Sequence, residues 1–256
     1  MLENPRSPRV RAVAKLTKRA ARQETGLYLL EGPQASREAL TWRPDTLVEL
    51  YATPSAWEKH QDIRDAASDA GVEVEFASEA VIDAMADTVT PQGIVAVARQ
   101  VPTSVRDVFA DTPTLIVICE EVRDPGNLGT IIRAADAVGA DAVVLTGRTV
   151  DPFNPKVVRA TTGSLFHLPV AVGADLAETI DRARAAGLRT IAADVGGEDF
   201  LAHRGTLAEP TAWVFGNEAR GLEDEALALV DLSLRLPIYG RAESLNLATA
   251  ASVCLY

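Results

Sequence analysis

The chain predicts an α/β protein of two units: a smaller N-terminal α/β unit and a larger C-terminal one on a mostly parallel sheet. Three observations lead there. From Thr114 onward, short runs rich in Val, Ile and Ala alternate with helix-patterned stretches, as strands buried on both faces do. Residues 26–98 repeat the alternation on a shorter scale, with enough apolar positions for a separate core. Between them, Pro102 and Pro113 bracket a stretch that reads as a linker. The expected boundaries are 1–100 for a basic arm with the first unit, 101–112 for the linker and 113–256 for the second unit.

Val10, Val13, Ala14 and Leu16 place apolar groups on one side of a short helix with basic residues outward. Gly26–Gly32 reads as a buried strand. A helix over 34–40, a strand over 46–51, a helix over 54–70 ended by Gly71, a strand over 72–76, a helix over 78–86 and a strand over 93–98 complete the first unit. In the second unit strands are expected at 114–119, 142–146, 168–172, 189–193, 211–215 and 233–237. Helices fit between them at 128–138, 155–163, 175–186 and 222–230, and from 245 to the end.

Composition narrows the function classes. Hydrophobic residues make up 47% of the chain, and only Cys119 and Cys254 are cysteines. That excludes a disulfide scaffold and a cysteine-built zinc site and fits a reducing cytoplasm. No apolar run approaches the ~18–20 residues of a membrane span, and the basic N-terminus precedes no apolar stretch of the secretory kind. His60, His167 and His203 lack metal-ligand spacing, so no metal is expected. The net charge of −11 argues against a simple nucleic-acid binder. Residues 1–22 nevertheless hold Arg6, Arg9, Arg11, Lys15, Lys18, Arg19 and Arg22 against Glu3, while the remainder carries 18 basic and 35 acidic residues. This arm could grip phosphates or be a solvated face.

Three stretches at expected strand ends combine glycine or serine with asparagine and charge. In Asp124-Pro125-Gly126-Asn127-Leu128-Gly129 there is neither a Walker pattern nor G-x-G-x-x-G, which disfavours a dinucleotide site. Asn127 either caps the following helix or meets a ligand. Arg133, in an apolar helix, must reach water or an anion. In Phe215-Gly216-Asn217-Glu218-Ala219-Arg220-Gly221 the glycines allow close backbone approach, and Glu218 is either an exposed acid or functional. In Leu236 to Ala251 an apolar strand end becomes a polar loop and then a helix. Ser244 reads as the cap of that helix with Asn246 in its first turn, where capping and ligand binding are compatible. Asp194 with Gly196-Gly197 reads as a turn at a strand end, with a substrate contact as the alternative.

In this order the three stretches resemble the signature motifs of the SpoU (TrmH) family of RNA ribose 2′-O-methyltransferases, members of the SPOUT superfamily. The resemblance covers 114–256 strongly, and residues 1–100 more weakly resemble that family's RNA substrate-binding domain, which is similar to ribosomal-protein-type domains. It implies a trefoil knot, which pattern reading alone would replace by an ordinary doubly wound sheet. It implies S-adenosylmethionine as cofactor, a homodimer, and RNA as partner, with rRNA (23S) ahead of tRNA. It also implies Arg133, Asn127, Glu218, Ser244 and Asn246 as catalytic residues, and Gly216, Leu236 and Leu245, with Thr146, as cofactor-binding residues. A non-catalytic RNA-binding protein on the same fold is the alternative.

Overall fold

Ser7 opens the first helix of the protein by accepting a hydrogen bond from the Val10 amide at 3.3 Å, with Pro8 in the first turn. The structure, a computed structural model, describes residues 1–256. In the first unit, α1 (Pro8–Lys15) and α2 (Arg19–Thr25) lead into β1 (Leu27–Glu31). Then come α3 (Gly32–Trp42), β2 (Leu47–Ala52), α4 (Pro54–Lys59), α5 (Gln61–Ala70), β3 (Val74–Phe76), α6 (Glu79–Met85) and β4 (Ile94–Arg99). The single helix expected over 54–70 is two, because the His60 backbone leaves the helical region (φ −106°, ψ 77°). The sheet order is β1-β4-β2-β3, antiparallel except for the β2/β3 pair. Alternation along the strands sends Leu30, Leu50 and Ala96 into one core with Leu40 and Ile63. It sends Leu29, Tyr51 and Val97 into another with Val10, Leu16 and Ile82. The sheet is therefore covered on both faces.

In the second unit, Ser104 caps α7 (Val105–Val108), whose Val108 is buried in that unit's core. Part of the expected linker is thus structured. β5 (Leu115–Glu120), α8 (Pro125–Ala137) and β6 (Ala142–Thr146) follow, then α9 (Pro155–Thr161), β7 (Val170–Ala174), α10 (Leu176–Ala185), β8 (Arg189–Asp199), β9 (Thr211–Phe215), α11 (Asp224–Leu227), β10 (Leu232–Arg235) and α12 (Leu247–Leu255). The six strands are ordered β10-β8-β9-β5-β6-β7, and every neighbouring pair is parallel. The chain runs outward through β6 and β7, then returns to the other side of β5 for β8 and β9. The β5/β9 junction is therefore where the strand order reverses, the place where such sheets bind ligands beyond their C-terminal ends.

One stretch departs from the sequence boundaries. Asp151–His167, including α9, groups with Met1–Val101, while Pro102–Val150 and Leu168–Tyr256 form the other unit. Phe153, Val158 and Phe166 join the core of the first unit, and the Phe153 ring lies 4.8 Å from that of Tyr28. Arg22, 2% exposed, directs Nε and Nη2 onto Asp151 Oδ2 at 2.9 and 2.7 Å, and Nη1 onto the Leu16 and Thr17 carbonyls. Arg22 is thus a buried clamp, not part of an outward basic face. Arg9 is likewise engaged, by Glu49, Glu75 and the Tyr51 ring. Arg6, Arg11, Lys15, Lys18 and Arg19 remain exposed.

Candidate active site

Three loops leave the C-terminal ends of β5, β9 and β10, and side-chain amides and a carboxylate join them. Asp124, not Asn127, caps α8: its Oδ1 accepts from the Asn127 amide at 2.7 Å, and Pro125 at the first helical position needs no partner for a missing N–H. Asn127 therefore sits in the first turn with its side chain free to cross to the other loops. Its Nδ2 donates to Glu218 Oε1 at 3.3 Å, and its Oδ1 accepts from Asn246 Nδ2 at 2.9 Å. Glu218 also accepts from the Asp124 amide at 2.9 Å and the Arg123 amide at 3.1 Å. Asn246, not Ser244, caps α12, its Oδ1 accepting from the Ala248 and Thr249 amides.

Every orientation in this chain is fixed by its ends. A carboxylate only accepts and a backbone amide only donates, so Asn127 must turn its NH2 to Glu218 and Asn246 must turn its oxygen to the helix.

The second loop closes on itself. Asn217 and Gly221 exchange backbone hydrogen bonds at 3.0 and 2.8 Å, and Asn217 Oδ1 accepts from the Ala219 and Arg220 amides. Asn217 Nδ2 donates to the Glu121 carbonyl at 2.9 Å. A Cβ on Gly216 would fall 2.5 Å from the Gly221 carbonyl carbon, so only glycine permits this closure. Glu121 itself is left-handed (φ 52°), and its carboxylate holds Arg123 at 3.2 Å and Arg220 at 2.6 Å. The Arg123 guanidinium keeps that carboxyl below the ordinary glutamate range. Sequence reasoning named neither Glu121 nor Asn217 among the site residues. The available signal was an Asn four residues before a glycine at a strand end.

Beside these loops lies a cavity of about 520 Å³, within the roughly 300–1,000 Å³ of small-molecule sites. Leu236, Leu245, Glu218 and Ser244 line it, with Asp194 and Arg220. Gly216 adjoins it through Asn217. Residues 236–245 make no hydrogen bonds through backbone or side chains, so their peptide groups are free for a ligand. Apolar walls, unpaired backbone and a few polar side chains suit the S-adenosylmethionine that the resemblance implies.

Two of the expected residues lie elsewhere in the chain. Thr146 is fully buried at the end of β6 and donates to the Cys119 carbonyl at 3.3 Å. Arg133 is exposed on α8 with no hydrogen bond or ion pair, on a stripe with Thr130 and Ala137. Within one chain it is not part of the Glu218–Asn127–Asn246 network. Cys119 and Cys254 are buried, and burial pushes each thiol up to about 12, which leaves them unreactive.

The comparisons with known proteins agree along the whole chain. Residues 114–256 match the SpoU rRNA Methylase family, and residues 29–104 match RNA 2'-O ribose methyltransferase substrate binding. The 23S rRNA (guanosine(2553)-2'-O)-methyltransferase RlmP of Bacillus subtilis is 34% identical over 256 residues, covering 100% of this chain and 97% of that protein. The AdoMet-bound rRNA methyltransferase from Sinorhizobium meliloti superposes with a TM-score of 0.84 at 33% identity, over 99% of this chain and 95% of that one. AviRb from Streptomyces viridochromogenes, in complex with AdoMet, gives 0.83 at 28% identity over 98% and 96%. Matched at both ends and aligned throughout with a relative of nearly the same length, this chain belongs to the SpoU rRNA methylase family.

Proposed function

We propose that the protein transfers a methyl group from S-adenosylmethionine to a ribose 2′-hydroxyl of 23S rRNA. The observation that carries this reading is the Glu218–Asn127–Asn246 chain, which ties the three loops together at the rim of the cavity. Relatives named as 23S rRNA 2′-O-methyltransferases, RlmP and RlmB among them, support the substrate.

Bound S-adenosylmethionine supplies an electrophilic methyl group on a sulfonium. Leu236, Gly216 and Leu245 hold it, largely through the unpaired backbone of 236–245 and apolar contact. Glu218 acts as an anchor, because both its oxygens are already committed to N–H donors. Asn127, Asn246 and Ser244 orient the ribose. Arg133, whose guanidinium stays protonated above ~12, does not serve as a base. It binds the adjacent phosphate and stabilises the developing alkoxide.

Arg133 reaches that position in a homodimer. Two copies meet through the exposed stripe of α8 and the adjoining face of α12, where Val253 is 48% and Tyr256 86% exposed. Each copy then brings Arg133 to the site of its partner. α12 packs against α8, and the trefoil knot is carried into this reading by the family resemblance. The exposed Arg11, Lys15, Lys18 and Arg19 and the first unit select the RNA. The protein works in the cytoplasm, where its buried thiols stay reduced.

The test is transfer of labelled methyl from S-adenosylmethionine to 23S rRNA and to total tRNA, with the modified nucleotide mapped. Label on one 23S ribose is expected; label on tRNA alone would replace the substrate, and no transfer would remove the enzyme reading.

A further inference from the structure

β8 does not run evenly beside β10. Ser233 pairs with Ala192 and Leu234 with Glu198, so residues 193–197 leave the ladder as an excursion. Two contacts fix its shape. The Gly196 amide donates to Asp194 Oδ2 at 2.8 Å. A Cβ on Gly197 would fall 2.5 Å from the Ser233 carbonyl carbon, so the backbones approach as only glycine allows. The excursion turns Val195 outward, 70% exposed, and brings Asp194 into the wall of the 520 Å³ cavity.

Asp194 is half-buried and has no cationic partner. Arg220, the nearby cation of the second loop, is taken by Glu121 and Glu223. Of the Asp194 carboxylate, Oδ2 serves the turn, whereas Oδ1 accepts nothing and lies 3.9 Å from where a Gly221 Cβ would be. A turn needs one oxygen. The second is an unpaired anionic acceptor at the wall of the cavity.

We propose that Asp194 is a cofactor-specificity residue whose Oδ1 accepts a hydrogen bond from S-adenosylmethionine. The donors of that molecule are the adenine amino group, the vicinal ribose hydroxyls and the amino-acid ammonium. This rests on the cofactor reading of the cavity. It adds a contact from β8 to a site otherwise built from the loops after β5, β9 and β10.

Asp194→Asn keeps an oxygen for the Gly196 amide and removes the charge; Asp194→Ser also keeps a turn acceptor and serves if the first variant is poorly folded. The full-length proteins are titrated calorimetrically with S-adenosylhomocysteine and with 5′-methylthioadenosine, which has the ribose but no amino-acid ammonium. A loss of about tenfold or more for S-adenosylhomocysteine, at an unchanged melting temperature, is expected. Equal loss for both ligands assigns the contact to the nucleoside, through the ribose hydroxyls or the adenine amino group, and loss for S-adenosylhomocysteine alone assigns it to the ammonium. Affinities within about twofold of wild type for both ligands would overturn the proposal and leave the cavity reading intact. Failure of the wild type to bind either ligand would overturn both.

Discussion

Asn246 donates to Asn127 at 2.9 Å while its own oxygen caps α12, so one side chain both starts the last helix and holds the first loop. The two jobs are separable. Asn246→Asp preserves the cap, since aspartate caps as well as asparagine, but sets a carboxylate against Asn127 Oδ1. Asn127 cannot rotate to relieve this without turning its oxygen onto Glu218. The expected result is a melting temperature near wild type with methyl transfer reduced at least about tenfold. Asn246→Ala loses both functions, including about 1 kcal/mol of helix capping. Thermal denaturation and a transfer assay on the same samples check the pair.

Arg133 is exposed in the single chain, and the proposed homodimer would place it in the site of a partner. Arg133→Lys retains charge without the planar fork and is expected to lower turnover by roughly 100-fold or more. Mixing inactive Arg133→Ala with inactive Glu218→Ala, followed by subunit exchange, is expected to restore part of the activity, because one of the two sites in a mixed pair is then intact. Zero recovery with demonstrated exchange would place Arg133 in its own chain's site.

Glu120, at the end of β5, has a buried Oε2 with no partner. Burial raises its carboxyl above the ordinary range, opposed by the Thr146 hydroxyl. A raised carboxyl favours the protonated form in the fold. Its stabilising contribution is therefore full below the ordinary glutamate range and is lost as pH rises through the raised value. Glu120→Gln removes that loss. The variant should melt above wild type at pH 7, with the difference closing on acidification; melting curves from pH 4 to 8 decide it.

Arg22 is buried with Asp151 as its counter-charge. Arg22→Ala leaves that carboxylate without its cation and opens a cavity, and is expected to cost about 3–5 kcal/mol. Denaturant titration followed by fluorescence measures it.

The exposed basic residues of the arm are better tested by neutralisation than by truncation, since α1 also supplies Val10, Val13 and Leu16 to a core. Changing Arg11, Lys15, Lys18 and Arg19 together to Gln should weaken RNA binding. It should also reduce the slope of log affinity against log salt by roughly 3 if all four meet phosphates. An unchanged slope would remove the arm from the RNA interface.

How legible each feature was depended on how local its cause is. β6 and β9 fall where their apolar runs predict, 142–146 and 211–215, because a strand buried on both faces announces itself in every residue. The convergence of Asn127, Glu218 and Asn246 was legible only through the order of the motifs. The capping residue differs from the expected one by three positions at α8 and two at α12, since Asp124, Asn127, Ser244 and Asn246 are all competent caps and the turn decides among them. The role of Arg22 was hidden because Asp151 is 129 residues away, and nothing near either residue marks the pair. The detour of β8 was legible in part: Asp194 with Gly196-Gly197 reads as a turn after a strand over 189–193, but nothing in the sequence reveals that the chain rejoins β10 at Glu198.

Because Asp151–His167 is contributed from the middle of the second half, the chain passes from one unit to the other three times. A fragment ending at Val101 would lack Phe153, Val158 and Phe166 and would leave Arg22 stranded without its anion, so it is poorly suited to RNA work by itself. Any chimera that transplants the RNA-selecting module onto another catalytic body must carry this internal helix along, which ties the evolution of target choice to a segment embedded in the catalytic half of the gene.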